Sequence, residues 1–167
     1  SPLGGNVYTE EEIEYFHRSV PKEKCSNIVR IERAAEPLFQ EQLSFETFIN
    51  LFRDGLWDQI EKEQAIAIKS CAAYGGGLGI SLPERAQAEG AYERILGGKA
   101  RQEDEKVLNH FLILESCEIA AECDIPIQFH TGEGGGSRID FKTLSPIHMV
   151  PFLKDKRVLN RVKIVLL

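Results

Sequence analysis

Apolar positions along this chain change period several times, and each change marks an element. Thr9-Glu10-Glu11-Glu12 is a capping-box pattern, followed by Ile13, Phe16 and Val20 at helical spacing, and Pro21 ends the predicted helix. Asn27 to Glu32 is short and β-rich and predicts a strand whose last residues are charged. A helix is expected from about Arg33 until the chain meets Pro37. Another is expected from about Phe45 to Ile60, with Phe48, Ile49, Phe52, Leu56 and Ile60 on one face. Ala65 to Tyr74 is nearly all apolar, the composition of a strand covered on both faces, and Lys69 is the exception inside it.

The second half repeats the alternation. Gly75 to Gly79 reads as a loop, and Ser81-Leu82-Pro83-Glu84 as a second capping box with proline in the first turn. The helix it opens carries Ala88, Ala91, Tyr92 and Ile95 and closes at Gly97-Gly98. Gln102 to Cys123 gives the clearest helical pattern, with Leu108, Phe111, Leu112 and Ile119 apolar. Ile125 to His130 predicts a third strand, Thr131 to Gly136 a glycine-rich loop, Pro146 to Leu153 a short helix, and Lys163 to Leu167 a fourth strand. Strands separated by helices imply parallel pairing with helical crossovers, an α/β fold. A barrel and an open doubly wound sheet both fit. No GxGxxG follows the first strand, which argues against a dinucleotide site.

Composition narrows the partners. The 167 residues suffice for one domain with a real core, in which residues 1–25 form an N-terminal loop and helix. Acidic residues outnumber basic ones 26 to 20, which argues mildly against nucleic acid or an anionic membrane surface as the main partner, since both need a basic footprint. No apolar run approaches the roughly 20 residues of a membrane span, and no signal-peptide pattern opens the chain. Cys25, Cys71, Cys117 and Cys123 form no CxxC pair; they read as structural thiols in a reducing, cytoplasmic setting rather than as a zinc site.

Parallel α/β folds bind ligands at the carboxyl ends of their strands, so the polar residues there carry the candidate chemistry. The first strand ends in Arg30 and Glu32, the second carries Lys69 and ends at Tyr74, and the third ends in Gln128 and His130. His130 has two readings: a hydrogen-bonded structural residue, or a metal ligand or general base. Lys69 in an apolar strand either pairs with Glu32 or snorkels to the strand end, or it is a desolvated nucleophile, base or carbamate carrier. Arg30 and Glu32, two apart, are expected on one strand face, either clamping an anionic substrate or pairing structurally. His17, His110 and His148 have no second ligand at i+4 and read as surface or satisfied structural histidines. Cys71 reads as packing on the opposite face from Lys69.

Ile125-Pro126-Ile127-Gln128-Phe129-His130-Thr131-Gly132 resembles the PIQFHTG strand end of the amidohydrolase-2 group. Its branch related to nodulin-6 and to glutamine-synthetase-fused amidohydrolase domains is the most similar. Val29-Arg30-Ile31-Glu32, Ile68-Lys69-Ser70 with Ala72-Ala73-Tyr74 and Gly77-Leu78, and Val162 to Leu167 agree with that branch in order. The resemblance covers roughly Asn27 to Leu167. It implies a (β/α)8 barrel of TIM type, of which this chain holds about four βα units. It also implies one or two divalent metal ions, zinc expected and manganese the alternative, activating water against an amide or related C–N bond. His130 then becomes a metal ligand and Lys69 the catalytic candidate. Arg30, Glu32, Tyr74 and Gln128 become substrate-binding candidates for a small, acidic substrate.

Departures from the pattern qualify this. No HxH pair occurs, and Gly75 stands where an arginine is expected. The next histidine ligand would follow Leu167, and the late aspartate is missing. A full barrel typically needs about 250 residues, so the chain is expected to be part of a longer protein or to complete its barrel as a homo-oligomer. Two alternatives follow: a metal-dependent decarboxylase in the same frame, and a non-catalytic module that self-associates.

Overall fold

The computed structural model describes residues 9–73, 77–101, 103–131 and 141–167. Thr9 caps the first helix, α1 (Glu10–Ser19), as a true capping box: Thr9 Oγ1 accepts from the Glu12 N–H at 3.2 Å, and Glu12 Oε2 accepts from the Thr9 N–H at 2.8 Å. None of its residues is buried, and Ile13, Tyr15 and Phe16 stay exposed.

The expected strand through Glu32 is shorter than its pattern suggested. Strand β1 is Ile28–Arg30, and helix α2 begins at once as Ile31–Ala35, running into a 3-10 turn at Glu36–Gln40. The spacing explains the switch. Ile31, Ala34 and Ala35 fall at i, i+3 and i+4 and are all buried, and paired alanines favour helix. Arg30 and Glu32 are therefore not related by strand alternation, a correction to the sequence expectation.

Helix α3 (Phe45–Glu63) follows. Ser44 Oγ accepts from the Thr47 N–H, and Phe45, Phe48, Ile49, Phe52, Leu56 and Ile60 form its buried face. It ends at Gln64 with φ of 49°, in the left-handed region. Strand β2 is Ala67–Ser70, not the longer run to Tyr74, because the Cys71 N–H donates to the Glu32 carboxylate rather than to a neighbouring strand. Tyr74, Gly75 and Gly76 lie outside the described residues.

Helix α4 (Arg85–Leu96) starts at a cap on Glu84, whose N–H donates to Gln87 Oε1 at 2.9 Å. Ser81 is not the cap; its N–H donates to His110 instead. Helix α5 (Asp104–Glu122) is buried nearly all round, and Gln102, where it was expected to begin, is outside the described residues. Strand β3 (Ile127–Phe129), 3-10 turns at Phe141–Thr143 and Pro146–Met149, a single-turn helix α6 (Val150–Leu153) and strand β4 (Ile164–Leu166) complete the chain. The glycine-rich stretch Gly132 to Gly136 is also outside the described residues.

All four strands are parallel and lie in chain order, β1-β2-β3-β4. Among the described residues the order never reverses, so the switch point of a doubly wound sheet is absent from them. Register fixes the two faces. Val29, Ile68 and Ile127 form one row, and Ser70 and Phe129 the next; all five are at most 3% exposed, under the helices. Phe129 meets Phe152 edge-on, with ring centroids 5.6 Å apart. The opposite face carries Ile28, Ala67, Arg30, Lys69, Gln128 and Val165, of which only Ala67 is buried.

Candidate functional site

On that second face the register pairs Arg30 with Lys69 and Lys69 with Gln128. Three hydrogen-bond donors, two of them cations, thus stand side by side on adjacent strands. Neighbouring strands are about 4.8 Å apart, so the row spans roughly 10 Å of sheet. The Lys69 side chain, at its centre, is half-buried and makes no ion pair or hydrogen bond with any described residue. Of the readings open for Lys69 in the sequence, pairing with Glu32 is not what forms.

Glu32 takes other partners. It sits in the first turn of α2 and reaches over the end of β2, where Oε1 accepts from Ser70 Oγ at 3.0 Å and from the Cys71 N–H at 2.6 Å. Oε2 lies 3.9 Å from Arg30 Nε, an ion pair too long for a hydrogen bond, with side chains 22% (Arg30) and 11% (Glu32) exposed. Glu32 Oε2 is buried and accepts no hydrogen bond among the described residues. Arg30 and Glu32 do pair, as one of the two sequence readings had it, but across a strand-to-helix junction. Burial pushes the Cys71 thiol up, and the Glu32 charge beside it adds to the rise.

His130 follows β3 directly. Its N–H donates to Ser70 O at 3.3 Å, and the Thr131 N–H donates to Leu167 O at 2.6 Å, so the ladder continues past the formal strand end. Alternation places His130 on the same face as Gln128, at the carboxyl edge. The ring is half-buried. His130 thus joins the sheet edge where Arg30, Lys69 and Gln128 stand, while Tyr74 is not described.

Among the described residues no group of three histidine, cysteine or carboxylate side chains is placed to hold a metal ion. His130 can offer one donor, but Glu32 is already committed to Ser70, Cys71 and Arg30. The described residues therefore do not by themselves complete a metal centre.

The other histidines have local partners. His17 Nδ1 lies 2.9 Å from Val20 O, and His148 Nε2 donates to Lys142 O at 2.8 Å. His110 is more unusual. It is 2% exposed, and its Nδ1 accepts from the Ser81 N–H at 2.9 Å and lies 2.8 Å from Ser81 Oγ. A backbone N–H can only donate, so Nδ1 is unprotonated and the neutral ring carries its proton on Nε2. Burial, helped by Lys106, pushes the imidazole down to about 4. Sequence reading missed this pair because Ser81 looked like a helix cap and nothing local marks it as a partner 29 residues from His110.

The fold is similar to that of a crystal structure from Lactobacillus casei ATCC 334, of a protein provisionally described as a metal-dependent hydrolase. The TM-score is 0.69 at 24% identity, and the match covers 83% of this chain and 36% of that one. The chain thus spans little more than a third of that protein's length. No protein-family profile matches the chain, and no curated protein matches it significantly. No described helix is long and apolar enough to cross a membrane.

Proposed function

We propose that this chain is a sector of a (β/α)8 barrel and forms the substrate-binding wall of a metal-dependent hydrolase of the amidohydrolase type. The row of Arg30, Lys69 and Gln128, in register on the sheet face opposite Val29, Ile68 and Ile127, carries the reading. In a barrel each strand adds to the same side of its predecessor, and the face away from the helices becomes the interior. Catalytic residues of such barrels come from the carboxyl ends of the strands, where His130 lies. The metal-dependent description of the Lactobacillus casei protein supports the same reading.

Two cations and an amide donor in an acidic chain fit a substrate with a carboxylate or similar anion. Arg30 offers a planar fork suited to a carboxylate, and Glu32 acts as its positioning residue. Lys69, half-buried and with no ion-pair partner among the described residues, is the catalytic candidate: its ammonium holds negative charge that develops on substrate. Gln128 donates from the third strand. A hydrolase of this type draws its nucleophile from metal-bound water. His130 is this chain's candidate donor to that ion, zinc or else manganese, and the other donors are not among the described residues.

Metal analysis of the purified protein tests this. Wild type should carry a divalent ion, and His130→Ala should lose most of it together with hydrolysis of amide-bearing acids. Full metal content and activity in that variant defeat the proposal. The cationic row equally suits a carboxylate that leaves as carbon dioxide. Turnover of aromatic or aliphatic carboxylic acids, with no release of amine from the amide panel, would favour the decarboxylase reading.

A further inference from the structure

A cavity of about 420 Å³ lies on the helix side of the sheet edge, between the 31–40 segment and α5. Its size is ordinary for a small-molecule site. Most of the lining is apolar, with Ile31, Ala35 and Phe39 on one wall and Leu108, Leu112 and Ile113 on the other. His110 also lines it. Because Ser81 holds Nδ1, the Nε2–H is the ring's remaining donor, and it makes no hydrogen bond to any described residue. A ligand acceptor can take that donor, and one such hydrogen bond is worth about 0.5–1.5 kcal/mol net.

The charges around the cavity select the ligand further. Glu32, Glu36 and Glu105 line it, with Lys106 the accompanying cation, so an anion meets an excess of carboxylates. An ammonium could pair with these carboxylates, but it offers no acceptor for Nε2–H and would lose its hydration against the leucine and isoleucine wall. We infer that this cavity binds a small uncharged molecule with an apolar body and one hydrogen-bond acceptor, such as a carbonyl oxygen, taken by Nε2–H of His110. Glu32 borders both this cavity and the cationic row, but the inference does not depend on the proposed hydrolase chemistry.

Four probes of similar size test it on the purified protein by NMR titration: acetophenone, ethylbenzene, benzoate and benzylamine. Acetophenone should bind saturably, with intermolecular contacts to the Leu108 and Ile113 methyls. Ethylbenzene, which lacks the acceptor, should bind about five- to tenfold more weakly, the worth of one hydrogen bond. His110→Asn keeps an acceptor for Ser81 but removes the donor, and should bring acetophenone down to the ethylbenzene level. Ala35→Phe fills the cavity and should abolish both. No saturable binding of acetophenone, equal affinity for ethylbenzene, tighter binding of benzoate or benzylamine, or unchanged affinity in His110→Asn would each overturn the inference. Should Ala35→Phe not fold, the methyl contacts decide the location, and contacts elsewhere overturn it.

Discussion

The two faces of the four-stranded sheet divide stability from chemistry. On the helix side, Val29, Ile68, Ser70, Ile127 and Phe129 are at most 3% exposed. On the other, Ile28 is 39% exposed and Arg30, Lys69 and Gln128 are half-buried. Parallel sheets usually have both faces covered and read as unbroken apolar runs. Here the run is broken at one register row by two cations and an amide. Polar groups in such a place cost free energy, so the contrast teaches that this face is specified by something other than packing.

Phe129→Ala should give the largest loss. The ring is fully buried and packs against Phe152, and such truncations cost about 3–5 kcal/mol. Urea unfolding measures it. A loss below about 1 kcal/mol would mean that the helix-side layer does not carry the stability and that the distinction between the faces is empty.

Acid gives the next effect, again from the helix side. His110 in the folded chain titrates near 4 against 6.5 as its ordinary value. Between these values the unfolded chain binds a proton that the folded chain refuses. Stability is therefore complete above about pH 6.5 and falls as pH drops toward 4, by about 3 kcal/mol from this group. Carboxylates also contribute: Asp104 and Asp155 are held low by the arginines hydrogen-bonded to them, and their stabilisation is lost on further acidification. His110→Asn isolates the imidazole, and its unfolding free energy should fall less steeply between pH 6.5 and 4. An identical slope would mean that His110 charges freely in the folded state.

The sequence made the helix-side face legible because burial there follows a period: Phe48, Ile49, Phe52, Leu56 and Ile60 on α3 stand out without any structure. The cationic row was only half legible. Arg30, Lys69 and Gln128 were visible as strand-end polar residues, but that they share one register row depends on strand pairing, which no local pattern encodes. The junction at Ile31 was misread because a charged residue two places after Arg30 fits strand alternation as well as it fits a helix start. Only the burial of Ile31, Ala34 and Ala35 decides between them. His110 was read as a surface or satisfied structural histidine, and the structure bears out the second; only its partner stayed hidden, since Ser81 belongs to a segment that matched a helix cap.

Glu32→Gln probes the seam between the faces. Gln can keep accepting from Ser70 and Cys71 through its carbonyl, but it loses the charge opposite Arg30. A cost of about 1–2 kcal/mol is expected, between the effects on the two faces. The Cys71 thiol should also become more reactive toward maleimide at pH 8, because one of the two influences that raise it is gone while burial remains. Unchanged thiol reactivity would separate Glu32 from Cys71 and weaken its place at the edge.

Lys69→Met should have the smallest effect on stability and the greatest consequence for the comparison. The ammonium has no described partner, so removing it breaks no described ion pair or hydrogen bond, while methionine keeps the length and suits a half-apolar strand. Stability should change by under about 0.5 kcal/mol, or rise. If the second face exists for anions, the same variant should lose affinity for a carboxylate ligand such as succinate by about tenfold or more, read by calorimetric titration, with Gln128→Leu weakening it less. Stability and binding would then move independently at one residue, as they do not at Phe129. A Lys69→Met protein that unfolds easily but binds succinate normally would reverse the assignment and make the lysine a structural group.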